Sequence, residues 1–216
     1  MTIPEAVLKQ LIDHFFDWTV DNHLTSKKEE SYLWFLFGDK KLGKYDYYKN
    51  AVAIFSKDDD HPRKIETHLF FNRERFSLPT IHIGLPGEQL SNANGVGYDF
   101  TFKDQRVFND PLKYIDSRSR HFHSRFNIVC TSDNTFEVLI IYNWLKAAII
   151  GNVDLFEMNG LQNTIISGND IILDESIAPN FIYSRALAVD VMYETIAPSF
   201  QTYRGVTNIF TKGIDP

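Results

Sequence analysis

Two histidines separated by a single residue are the clearest candidates for chemistry in this chain. His121 and His123 flank Phe122 in a stretch with strand-like alternation, so both imidazoles are expected on one face of a strand, a spacing that can serve a transition metal. A metal site needs further ligands, and no HExxH, CxxC or facial-triad spacing accompanies the pair. We therefore predict a solvated or intersubunit basic strand and no bound metal.

The other candidate motifs each lack an essential member. The acidic run 58–60 has neither the alternating ligands nor the central glycine and distal glutamate of a calcium loop. Gly95 and Gly97 are not followed by the third glycine or the helix start of a phosphate-binding loop, and no GxSxG elbow is present. Cys130 lies in an apolar strand pattern, which predicts a buried, inert thiol. We predict no catalytic residue, no cofactor and no enzymatic activity, with a small enzyme kept as the weakest alternative.

Positive charge is concentrated in one segment of an otherwise acidic chain. The 216 residues carry a formal net charge of −6, which argues against a general binder of nucleic acid or anionic membranes. The run Ser117-Arg-Ser-Arg120 suits either nucleic-acid phosphates or ion pairs between subunits, and the sequence leaves both open. The candidate interface residues are the arginines, histidines and interleaved aromatics of this segment: Arg106, Phe108, Tyr114, Arg118, Arg120, His121, His123 and Arg125.

These candidates need a scaffold, and apolar periodicity predicts a single α+β domain over residues 1–216. A helix is expected from about Pro4 to His23, and a second, almost wholly apolar helix from about Asn134 to Ile150, with a cap at its start and Gly151 at its end. We expect both helices to pack on an antiparallel or mixed β-sheet. A short helical turn is predicted over 154–159.

Besides the predicted strand that begins at Ser124 and leads into the second helix, seven segments have the apolar or alternating composition of strands. They are residues 32–37, 51–55, 65–71, 79–85, 164–167, 170–173 and 181–193. The second to fourth of these are predicted to form an antiparallel meander. Gly168 and Asn169 are predicted to form the turn that joins the fifth and sixth.

Two segments are predicted to lie outside the sheet. Glycine and asparagine accumulate between residues 86 and 121 while the apolar density falls, which predicts a long inserted loop or arm. Residues 198–216 are predicted to form a polar C-terminal tail. Acidic residues interrupt the apolar positions near the N-terminus, and no apolar run reaches about 18 residues, so we expect neither a signal peptide nor a membrane span.

The order of these elements resembles the neck and tail-completion proteins of tailed bacteriophages. The likeness covers most of the chain: an N-terminal helix, the strands around Leu78-Pro-Thr-Ile-His-Ile-Gly-Leu-Pro86, the long excursion, the stretch Asn127-Ile-Val-Cys-Thr-Ser-Asp-Asn-Thr-Phe-Glu-Val-Leu139 that enters a helix, and closing strands. It is a likeness of pattern and not of a diagnostic motif. The chain differs from that pattern in its larger size, its 86–121 excursion and its extended C-terminus.

The resemblance implies a structural virion protein. Such proteins, which include tail terminators, sheath stabilisers and ring-forming head-tail adaptors, assemble as rings that join or complete the head and tail. It implies a homo-oligomeric ring, a hexamer or a dodecamer, with portal or adaptor and tail proteins as partners, and DNA passing through the lumen without sequence-specific binding. The protein would fold in the cytoplasm of an infected bacterium and reside in the virion neck or tail. The alternative is another phage binding module, such as a fibre or baseplate attachment domain.

Overall fold

The part of the chain that the structure describes combines five α-helices with a large mixed sheet, as the α+β prediction requires. The computed structural model describes residues 3–55, 63–69, 78–90, 105–107, 110–170 and 182–204. The helices are α1 (Pro4–Thr25), α2 (Tyr32–Phe37), α3 (Tyr47–Ile54), α4 (Thr135–Gly151) and α5 (Val153–Met158). The strands are β1 (Lys41–Leu42), β2 (Tyr45–Asp46), β3 (Glu66–Leu69), β4 (Thr80–Leu90), β5 (Gln105–Val107), β6 (Asp110–Ser132), β7 (Gln162–Asp170) and β8 (Tyr183–Arg204).

The main sheet has the strand order β3-β4-β6-β8-β7, with β5 paired to β6. β3 runs parallel to β4, and the other pairings are antiparallel, so the predicted antiparallel meander was wrong. β1 and β2 form a separate two-stranded sheet. No helix in the described part of the chain combines the length and apolar composition that crossing a bilayer requires.

The central apolar helix was predicted correctly. The Asn134 side chain accepts a hydrogen bond from the Phe136 N–H and caps α4. Trp144 and Leu145 are fully buried in a core that also includes Phe15 of α1 and Ile128 of β6. Cys130 belongs to the same core, and burial raises the pKa of its thiol to about 12, which confirms the prediction of a buried thiol.

Two predicted strands are helices. In α2 the Ser31 hydroxyl accepts from the Trp34 N–H, and Leu33 and Phe37, four residues apart, are buried, whereas Phe35 is 81% exposed. The aromatic run hid this period, because every residue in it is apolar. Residues 51–54 likewise lie in α3, whose cap is the Asp46 carboxylate.

The predicted turn at Gly168 was also wrong. Gly168 lies within β7, paired with Leu187 of β8. A Cβ at this position would lie 1.9 Å from the Tyr142 hydroxyl oxygen, so the glycine permits the close approach of α4 to the sheet. Residues 171–173, the rest of the predicted next strand, lie outside the described residues.

The predicted loop 86–121 and tail 198–216 consist partly of strand. β4 continues to Leu90, β6 begins at Asp110, and β8 continues to Arg204. Glycine and polar residues lowered the apolar density of these segments, yet their backbones still pair with neighbouring strands. Residues 91–104, 108–109 and 205–216 lie outside the described part of the chain.

The sheet buries residues on both of its faces. Ile81, Ile128 and Leu187 face the helices and belong to the main core. Positions one residue out of phase, Val129 and Ala186 among them, are also buried but do not belong to that core. A polar chain runs on this second face: the Thr80 and Thr131 hydroxyls lie 2.5 Å apart, and the buried His82 Nε2 lies 2.9 Å from the Thr80 oxygen. Thr80, Thr131 and His82 are therefore buried together with hydrogen-bond partners for their hydroxyl and imidazole groups.

One buried hydrogen bond connects α1 to α4 and gives a testable expectation. The Trp144 indole N–H donates to the Thr19 hydroxyl at 2.9 Å, and neither residue is more than 1% exposed. Thr19→Val should destabilise the protein by about 1–3 kcal/mol, because the indole N–H would stay buried without a partner. Chemical unfolding followed by far-UV circular dichroism measures the loss.

Thr25→Val is the matched control. Thr25 donates to the backbone carbonyl four residues earlier at 2.7 Å, as Thr19 does, but it is exposed. Its change should stay within about 0.5 kcal/mol of wild type. Equal losses of unfolding free energy in Thr19→Val and Thr25→Val would show that the hydrogen bond from the indole does not stabilise the protein.

Candidate interaction surface

The predicted interface residues lie mainly along β6. Tyr114, Arg118, Arg120, His121, His123 and Arg125 are all on this strand, and Arg106 of β5 pairs with Tyr114. Phe108 lies outside the described residues. Because side chains alternate along a strand, Arg118 and Arg120 are out of phase with His121, His123 and Arg125. The set therefore divides between the two faces of the strand.

The three residues His121, His123 and Arg125 form what we call the 121–125 face. His123 and Arg125 are exposed and His121 is half-buried. Across the strand pair, His121 lies opposite Glu194, His123 opposite Met192 and Arg125 opposite Asp190. The backbone register thus places acidic positions of β8 beside basic positions of β6.

Arg125 is already engaged by its own sheet, but loosely. Its Nε lies 4.0 Å from the Asp190 carboxylate, and an Nη donates to the Ser167 hydroxyl at 3.3 Å. The Arg125 side chain is 52% exposed. An exposed pair of this kind contributes little to folding, and a guanidinium has five N–H donors, so Arg125 retains donors for a partner.

The 121–125 face does not assemble a metal site within the described residues. No group of three or more histidine, cysteine, aspartate or glutamate side chains among them is arranged to hold an ion. The acids 58–60 and Gly95 and Gly97 lie outside the described ranges. The absence of a metal and of catalysis stays a prediction.

This prediction can be checked by metal analysis. Two imidazoles alone are too few for the four ligands that a structural zinc site takes. Purified wild type and the His121→Ala/His123→Ala variant should therefore both contain no stoichiometric transition metal by elemental mass spectrometry. A metal present at one per chain in wild type and lost in the double variant would contradict it.

A charged cluster that the sequence analysis missed lies at the start of α4. Arg63 Nε donates to Glu137 at 2.9 Å, an Nη donates to Asp133 at 2.5 Å, and the Ser132 hydroxyl donates to Glu137 at 2.7 Å. Glu137 is only 6% exposed. The partners are some seventy residues apart in sequence, so no local motif announces them.

The pKa shifts in this cluster indicate a structural role. The hydrogen bond from Arg63 holds the pKa of Asp133 below its ordinary value, and Asp133 and Glu137 raise the pKa of Arg63. Burial, with a smaller contribution from the Glu137 charge, raises the pKa of Tyr45 to about 12. Each shift favours the ordinary charge state at neutral pH, whereas an acid-base catalyst needs a pKa near the working pH. The cluster attaches the segment before β3 to α4.

Comparison with known proteins adds no assignment. No protein-family model matches the chain, and no curated protein matches it.

Proposed function

We propose that this chain is a structural virion protein of a tailed bacteriophage, which forms a ring at the neck or tail and joins or completes the head-tail assembly. The observation that carries the proposal is a two-stranded extension of the sheet. Among the described residues, the pairing of β4 with β6 reaches Phe122, and the pairing of β7 with β8 reaches Met192. Beyond those points β6 and β8 continue together to Lys113 and Arg204.

We call this extension, residues 113–121 of β6 with 194–204 of β8, the ribbon. Nine residues of β6 in extended conformation span roughly 30 Å, enough to reach a neighbouring subunit. In the described part of the chain, the ribbon has β5 as its one further strand neighbour. Beyond its pairing with β5, the described ribbon has two strands, and two-stranded segments are marginally stable alone, so the ribbon favours a protein that completes it with a neighbour.

A ring requires contacts that are heterologous, with one surface on a subunit meeting a different surface on the next. A projecting ribbon on one side of a domain suits this geometry better than a self-complementary patch. The composition agrees, because arginine and aromatic residues, which the 86–121 segment combines, are enriched at interface cores. A hexamer or a dodecamer with portal or adaptor and tail proteins as neighbours is the proposed assembly.

The net charge supports the proposed location. A lumen that passes DNA should not retain it, and a chain with a formal net charge of −6 repels phosphates unless basic groups are turned to the lumen. Arginines engaged in subunit contacts would be withdrawn from the DNA. The ring would therefore surround the DNA channel without binding the DNA sequence-specifically.

Purified phage particles give the test of this function. Mass spectrometry should detect the chain in virions at a fixed copy number matching a ring, and gold labelling of the chain should place it at the head-tail junction or the tail end. Labelling on fibres or baseplate would support the other binding-module assignment. A chain absent from virions but abundant in infected cells would contradict the proposal.

Charge reversal tests the contact itself. Arg118→Glu/Arg120→Glu should weaken association far more than folding, because the proposal places both arginines in the contact between subunits, and ion pairs at a protein surface add little to the stability of a subunit. Sedimentation velocity and thermal unfolding on the same samples separate the two effects. A double variant that folds, forms the wild-type oligomer and still joins heads to tails would contradict the ribbon's role.

A further inference from the structure

A groove of about 410 Å³ separates α1 and the start of α2 from the corner between α4 and α5. Its lining combines aromatic, small and uncharged polar residues: His14, Phe15, Trp18, Thr19, Tyr32, Ala148, Gly151, Asn152 and Leu155. The lining residues that the structure describes include no lysine or arginine. The groove is not part of the 121–125 face or of the Arg63 cluster.

The aromatic wall of the groove is already fixed in place. The Trp18 and Tyr32 rings meet edge to face, with centroids 5.3 Å apart, and the Tyr32 N–H donates to the Asn22 side chain at 2.7 Å. Trp18 is nevertheless 49% exposed, which is unusual for so large an apolar ring. A partner that covers this ring would gain binding energy at little cost in conformational entropy.

The surroundings of the wall are negative. Asp17 and Asp21 are exposed on α1, and they follow His14 and Trp18 by three residues, so each pair lies side by side on the helix surface. The last turn of α4 ends at Gly151, on the groove, and a helix C-terminus carries partial negative charge. An aromatic face beside acids and a helix C-terminus selects a cation, and a planar guanidinium stacks on indole better than an ammonium does.

We propose that this groove binds arginine side chains from the 86–121 segment of a second copy of the chain. This inference rests on the proposed ring and names its contact. The segment contains Arg106, Arg118 and Arg120 with aromatic neighbours, in a chain whose overall charge is negative. β6 pairs with β8 without a register shift from Ser132 to Ser117, so Arg118 and Arg120 lie on the part of β6 that continues beyond its described pairing with β4.

The test uses two variants with complementary defects. The groove variant, Asp17→Arg/Asp21→Arg, keeps its arginines, and the arm variant, Arg118→Ala/Arg120→Ala, keeps its groove. Each alone should lose the wild-type oligomer in sedimentation velocity. Mixed in equal amounts, they should form a dimer with one chain of each and nothing larger, because only one arm and one groove in the pair are intact.

A matched control separates the groove from charge in general. Glu29→Arg/Glu30→Arg makes the same change in net charge at exposed acids that do not line the groove, and it should assemble as wild type does. Trp18→Ala should weaken assembly about tenfold if a desolvated cation covers the indole. A groove variant that assembles normally, or a mixture that gives no dimer, would overturn the proposal.

The groove can be judged separately from the ring. If the wild-type chain is monomeric and forms no ring when tail or portal components are added, the ring proposal fails, and a synthetic peptide of residues 105–121 then tests the groove on the monomer by calorimetry. Binding that is lost in the groove variant and kept in the control supports the groove. No binding to the wild-type monomer overturns it.

Discussion

Leu145→Ala should destabilise the protein by about 2–5 kcal/mol, the cost of removing a leucine side chain from a packed interior. Leu145 is fully buried on α4, among core residues contributed by both α1 and the sheet. The truncation leaves a cavity, and the surrounding core cannot close it unless α1, α4 and the sheet all move. Urea unfolding monitored by tryptophan fluorescence and far-UV circular dichroism gives the free-energy difference.

Leu24→Ala is the control with the same chemical change. Leu24 lies on α1 and is 63% exposed, so its truncation should change the stability by no more than about 0.5 kcal/mol. A loss below about 1 kcal/mol for Leu145→Ala would place that residue outside a packed core and contradict the account of α4.

Arg63→Met should cost about 2–3 kcal/mol at neutral pH, because Glu137 would remain buried without its guanidinium partner. The estimate lies below that for a fully buried pair, since the Arg63 side chain is 35% exposed. Lys27→Met, which removes an ammonium 3.9 Å from Glu30 at the surface, should change stability by less than about 1 kcal/mol.

The same variant should show a pH dependence with a definite sign. Arg63 holds the pKa of Asp133 below its ordinary value, so the stabilisation from that pair is complete above the unfolded pKa of about 4 and is lost as the pH falls through the folded pKa. The difference in unfolding free energy between wild type and Arg63→Met should therefore shrink below about pH 4. Equal differences at neutral and acidic pH would show that Asp133 does not contribute.

Local signals predicted the elements whose chemistry is local. The Asn134 cap and the long apolar run identified α4, and spacing along α1 identified the first helix. The strand prediction for residues 32–37 was wrong because a wholly apolar segment shows no helical or strand period in its hydrophobicity. In the structure, the Ser31 cap and the exposed Phe35 reveal the helix. Gly168 failed because a glycine that permits close packing looks like a glycine that permits a turn.

The sites depended on contacts between distant segments. The Arg63 cluster joins a residue that precedes β3 in the sequence to residues that follow β6. The groove lies between α1 and the end of α4. Neither site therefore leaves a motif in the sequence. The basic residues of the 86–121 segment were visible from composition, but their placement on a ribbon was not. Strand pairing between residues as distant as Lys113 and Arg204 is set by the tertiary fold.

Negative-stain microscopy of the purified wild-type chain, with its mass in solution measured on the same sample, tests the central claim most directly. The account predicts closed rings of one subunit number, with a mass that is a whole multiple of the 25.1 kDa chain and corresponds to six or twelve copies. Monomers or two-fold symmetric dimers at micromolar concentration, with no ring formed when tail or portal components are added, would contradict it.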